Sequence, residues 1–143
     1  MTHSQEQIGD LIVSIYKEIK TRTEKSLKSY GIGMGQLHIL MLFYRNPGKG
    51  YSQTEFVQLL NIDKGNVSRN MHKLLDKGYV AFTLSEAGDS NHYLLTELGL
   101  EIKKDIMSCF IKLQQDMTDG LLSEALELTG QALSEINNNL TRK

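Results

Sequence analysis

Residues 63–78, "DKGNVSRNMHKLLDKG", gather the side chains of this chain best suited to gripping a polar surface. Val67, Met71, Leu74 and Leu75 recur at helical spacing and make one apolar stripe. The opposite face carries Lys64, Asn66, Ser68, Arg69, Asn70, His72 and Lys73, nearly all able to donate hydrogen bonds and none acidic. Such a face suits a partner built from acceptors. Arg69 can bond guanine in two places, Asn66 or Asn70 can bond adenine, and Lys64 and Lys73 can neutralise phosphates. His72 reads equally as a surface residue or a phosphate contact. A solvated face of a core helix would look much the same, so the neighbouring elements have to decide.

Upstream, Ser52 to Glu55 is a Ser-x-x-Glu capping box opening a helix over 53–60 that buries Phe56, Val57 and Leu60. Asn61 tolerates the left-handed turn that follows, and Asp63 caps the next helix, 64–76. Two short helices separated by a tight turn form a helix-turn-helix. Downstream, "YVAFTL" (79–84) and "NHYLLT" (91–96) flank the turn "SEAGDS", the pattern of a β-hairpin. A helix-turn-helix followed at once by a hairpin is a winged helix.

The outer segments are helical too. Ile8, Leu11, Ile12, Ile15 and Ile19 stripe a helix over 5–29, which stops at "YGIGMG". This Gly-x-Gly-x-Gly follows a helix rather than a strand, so it reads as a helix stop and not a phosphate loop. A second helix, 36–45, is apolar nearly all round and is expected to be buried. Thr96 caps a helix over 97–118, and the last helix, 122–140, places Leu126, Thr129, Leu133, Ile136 and Leu140 along a seam. A winged helix needs no such long additions to close its core. Their stripes predict a homodimer, with residues 1–31 and 97–143 as dimerisation helices around a DNA-binding lobe at 32–96. The fold class is thus mainly α with a small β-hairpin wing.

These stretches resemble the multiple-antibiotic-resistance regulator (MarR) family of winged-helix transcription factors. The similarity is carried by "SQTEFVQLLNIDKGNVSRNMHKLLDKGYV" (52–80) and by "LTELG" (95–99), where the family has Leu-Thr-x-x-Gly at the end of its wing. The resemblance implies a homodimeric regulator, expected to be a repressor, on a pseudo-palindromic double-stranded operator. It places Ser52 and Gln53 at the phosphate backbone, and Asn66, Ser68 and Arg69 at the DNA surface. The chain departs from the family in its wing. Counting back from Thr96 puts Ala87 and Asp89 where relatives carry an Asp-x-Arg, and the nearest local match, "DSN", offers Asn91 in place of the arginine. No Lys or Arg occurs from 79 to 96.

The resemblance also implies a small aromatic or anionic effector, with His38, Tyr16, Tyr30 and Met34 as candidate contacts. By residue type alone His38, on the apolar second helix, reads as a satisfied core histidine. The histidines at 3, 38, 72 and 92 show no metal-ligand spacing, and no cofactor is called for. Cys109 falls on a helical stripe and reads as packing. No catalytic motif occurs, so an enzyme is not expected.

The formal net charge of −1 hides an asymmetry: residues 17–77 hold 11 Lys/Arg against 5 Asp/Glu, and residues 78–143 hold 5 against 10. Because salt screens charges beyond about 8 Å, a basic half can attract phosphate locally in a neutral chain. The absence of any long apolar run predicts no membrane span, the polar start is unlike a signal peptide, and the single cysteine suits a reducing cytoplasm. The missing wing arginine leaves one rival, a winged-helix module that binds protein instead of DNA.

Overall fold

A computed structural model describes residues 5–84 and 91–142; His3, Ala87 and Asp89 lie outside them, as does the side chain of Asn91. The elements run α1 (Gln5–Leu27), a 3-10 turn (Lys28–Tyr30), α2 (Met34–Arg45), α3 (Gln53–Leu60) and α4 (Lys64–Asp76). Then follow β1 (Val80–Leu84), β2 (Asn91–Leu95), α5 (Glu97–Glu101), α6 (Lys103–Thr118) and α7 (Ser123–Thr141). The chain forms two compact units, 1–109 and 110–143.

The first unit is built around the helix-turn-helix. Leu40, Phe43, Phe56, Val67, Met71 and Leu74 are each 1% exposed or less, so the inner faces of α2, α3 and α4 close one core. Phe43 meets Tyr51 and Phe56 edge-on, with centroids 5.3 and 5.6 Å apart, the arrangement ring quadrupoles favour. β1 and β2 pair antiparallel from Val80↔Leu95 to Leu84↔Asn91. The hairpin is stitched to the core through Tyr51, whose N–H donates to the Tyr93 carbonyl at 3.0 Å and whose carbonyl accepts from Tyr93 N–H at 2.8 Å. The mostly helical chain with a two-stranded wing is the winged-helix architecture.

Three expectations need correcting. The second helix begins at Met34, two residues early, because the Gln36 side chain turns back and its Oε1 accepts from Gly33 N–H at 2.6 Å. That helix is not apolar all round: His38 and Arg45, seven residues and two turns apart, are exposed on one face while Leu37, Ile39, Leu40, Phe43 and Tyr44 are buried on the other. His38 is therefore not a core histidine. The helix expected over 97–118 breaks at Ile102 into α5 and α6. The Tyr44 hydroxyl donates to the Gly99 carbonyl at 2.8 Å, drawing that acceptor out of the helical ladder one turn before the break.

The apolar stripe of α1 is only partly covered. Ile8, Leu11 and Ile15 are 41%, 45% and 50% exposed. In the second unit, α7 has no buried residue at all, and Leu133 on its seam is 48% exposed.

Candidate nucleic-acid interface

The geometry of α4 is fixed by local bonds at its start. Asp63 Oδ1 accepts from Asn66 N–H at 2.7 Å, satisfying one of the free amides of the first turn. Ser52 Oγ accepts from Glu55 N–H at 3.2 Å while Glu55 Oε1 accepts from Ser52 N–H at 3.0 Å, the reciprocal box that starts α3. Between the helices Asn61 takes the left-handed conformation at φ 54°. Gln53 Nε2 then donates to the Lys64 carbonyl at 3.2 Å, tying the start of α3 to the start of α4. Ser52 and Gln53, both half-buried, thus sit beside the N-terminal end of α4.

Burial of Val67, Met71 and Leu74 against the core leaves the opposite face outward. Lys64, Arg69, His72 and Lys73 are exposed there, and Asn66 and Ser68 are half-buried at its edges. The Arg69 guanidinium folds back along α4 over Gly65, where a Cβ would stand 3.3 Å from a terminal nitrogen. This follows the usual lean of helical side chains toward the N-terminus. Gly65 thereby leaves space for the guanidinium at the end of the helix that meets the turn, a role the sequence did not suggest.

Asn70 is placed differently from the rest. Its Oδ1 accepts from Gln36 Nε2 at 2.6 Å, and its Nδ2 donates to Asn66 Oδ1 at 2.9 Å. It faces α2 rather than the outer surface. The wing shows Phe82 46% and Leu84 71% exposed, so its described part offers apolar rather than basic side chains.

The four residues considered for an effector do not share the open cleft of about 490 Å³ found in this unit, which is lined by Glu24, Lys28, Ile32, Gln36, Lys73 and Asp76 among others. Tyr16 is 57% exposed on α1, His38 is exposed on α2, and Tyr30 and Met34 are half-buried. The Tyr30 carbonyl accepts from the Tyr79 hydroxyl at 2.7 Å. Burial, reinforced by Asp105, raises the Tyr30 phenol above its ordinary value. Among the described residues no group of three or more His, Cys, Asp or Glu could hold a metal ion. No helix of these residues is long and apolar enough to cross a membrane.

Residues 30–89, from the end of the 3-10 turn to beyond β1, match the sequence model of the MarR family. A MarR transcriptional regulator from Methanosarcina mazei superposes with a TM-score of 0.80 at 29% identity, covering 99% of this chain and 94% of that one. Residues 30–89 thus carry the sequence pattern of the MarR family. The chain has the winged-helix fold of these regulators. The Staphylococcus aureus MepR–DNA complex shares the fold, with a TM-score of 0.82 at 22% identity over 96% of this chain and 100% of that one. The bifunctional ligase/repressor BirA of Salmonella typhimurium is 34% identical over 101 residues. That match covers 68% of this chain, which spans only 25% of BirA's length.

Proposed function

We propose that this chain acts in the cytoplasm as a homodimeric repressor of the MarR family, laying α4 of each protomer into the major groove of a pseudo-palindromic operator. The observation that carries the reading is the outward face of α4. It presents Lys64, Arg69, His72 and Lys73 without an acid among them, and the Asp63 cap and the Gln53–Lys64 bond hold it. Ser52 and Gln53 lie where the N-terminus of α3 would approach a phosphate, since free helix N–H groups favour anions. Asn66, Ser68 and Arg69 supply base-edge contacts, and Lys64, Lys73 and His72 supply phosphate contacts. Half-sites then recur about one DNA turn, ~10 base pairs, apart. The exposed apolar stripes of α1 and α7 support the second protomer, because unpartnered leucines and isoleucines at helical spacing gain by burial against a copy.

The test is binding of a mixed-sequence duplex across a salt series, read by fluorescence anisotropy. Each phosphate neutralised by a basic side chain should contribute about 0.9 to the slope of log affinity against log salt, so a slope of several units is expected. Binding that is absent or insensitive to salt would refute the assignment and favour a protein partner for the same lobe.

A further inference from the structure

Three side-chain amides run in series from the core to the outer surface of α4. Gly33 N–H donates to Gln36 Oε1 at 2.6 Å, Gln36 Nε2 donates to Asn70 Oδ1 at 2.6 Å, and Asn70 Nδ2 donates to Asn66 Oδ1 at 2.9 Å. Gln36 is only 3% exposed. Gly35 makes the approach possible, since a Cβ there would lie 2.8 Å from Asn70 Cγ.

The series has a direction. A side-chain amide can face either way, but a backbone N–H can only donate. The Gly33 N–H therefore draws the oxygen of Gln36 toward itself and sends its nitrogen toward α4. That nitrogen selects the oxygen of Asn70, which leaves the nitrogen of Asn70 for Asn66. The series ends with the oxygen of Asn66 turned inward and its NH₂ group unused. Because Gln36 is buried, water does not compete for its two bonds, and the polarity is set by the fold.

We propose that this relay decides which bases α4 prefers, by presenting Asn66 to DNA as a donor and not as an acceptor. The inference rests on the reading of α4 as the DNA-facing helix. A donor favours the acceptor-bearing edges of guanine (O6 and N7) and thymine (O4) over the amino groups of cytosine and adenine. A free asparagine, with its oxygen available, would bond adenine at N6 and N7 together. Gln36 is thus a positioning residue for base choice, acting through Asn70 from a site that DNA does not touch.

The experiment selects bound duplexes from a randomised DNA library with wild type, Asn66→Ala, Gln36→Glu and Gln36→Met, followed by sequencing. Glutamate keeps an acceptor for Gly33 N–H but offers Asn70 a second acceptor, so Asn70 and then Asn66 must turn over. At pH 8, where the carboxylate is ionised, Gln36→Glu should move the preference at the Asn66-dependent position from guanine or thymine to adenine or cytosine. The change in enrichment should be about tenfold, the lower end of what a specific base contact contributes. Gln36→Met, an apolar side chain of similar length that avoids burying a charge, should broaden the preference there without reversing it. Either variant, folded by its thermal transition yet keeping the wild-type base preference, overturns the relay, even if its affinity falls evenly. Loss of selectivity nowhere in Asn66→Ala would instead refute the parent reading of Asn66.

Discussion

Replacing Gly99 with alanine opposes two effects of known size. Gly99 lies in the first turn of α5, where alanine is favoured over glycine by about 1 kcal/mol on helix propensity alone. Against this, the added Cβ would overlap the Tyr79 carbonyl oxygen, and would lie 2.7 Å from Leu95 Cδ1 and 3.1 Å from the Tyr79 carbonyl carbon. The obstacle is backbone at the start of the wing, so no side-chain rotation relieves it. α5 must lift, and three bonds are strained together: Thr96 N–H to the Tyr79 carbonyl at 3.1 Å, Gly99 N–H to Thr96 Oγ1 at 3.0 Å, and the Tyr44 hydroxyl to the Gly99 carbonyl at 2.8 Å. Overpacking of this kind costs about 1–3 kcal/mol, and each weakened bond adds up to about 1 kcal/mol. The steric term wins, with a net destabilisation of about 2 kcal/mol or more. Urea unfolding followed by circular dichroism, at one fixed protomer concentration, should show a lower midpoint with an unchanged slope. A Gly99→Ala protein as stable as wild type would mean that α5 is not seated on Tyr79 in this way.

Further outcomes separate binding from stability. Arg69→Ala should weaken specific DNA binding by about 1–3 kcal/mol while leaving the melting temperature unchanged. Met71→Ala, on the buried face at 1% exposure, should do the reverse, losing about 2–5 kcal/mol of stability to a cavity. Gel-shift titration and thermal melting of the pair check both directions. Leu133→Asp puts a charge on the α7 seam and should shift sedimentation from dimer to monomer, whereas an unchanged dimer mass would count against that interface. Burial lifts the Tyr44 phenol above its ordinary 10.0. A pKa raised in the folded state gives stability that is complete below pH ~10 and is lost as pH rises beyond it. Wild type should therefore lose stability above pH ~10 more steeply than Tyr44→Phe, which at neutral pH should be weaker by about 1 kcal/mol through loss of the Gly99 bond.

What could be read from the sequence was local. The Ser52–Glu55 box, the left-handed Asn61, and the Asp63 and Thr96 caps all depend on partners within three residues, and each occurs as expected. Helix periodicity likewise placed the buried face of α4 and, by exclusion, its outer face. Long-range contacts were not legible. The break at Ile102 arises from Tyr44, 55 residues away from Gly99, and nothing in the pattern of 97–118 announces it. Asn70 sits on the polar side of α4 by spacing, yet bonds to Gln36 turn it toward α2 across 34 residues. A signal for that contact did exist: Gln36 is a polar side chain beside the apolar Leu37, Ile39 and Leu40, preceded by a glycine that leaves room for a partner.

The most direct test maps the DNA surface residue by residue. Titrating a short duplex into isotopically labelled protein and following backbone amide resonances should shift residues 52–53 and 64–73 most. Amides of α7 should stay largely unmoved, because the proposed dimer uses that helix for the protomer contact. Shifts concentrated on α7 or on the exposed stripe of α1, with 64–73 unchanged, would contradict the assignment of α4 as the helix that meets DNA.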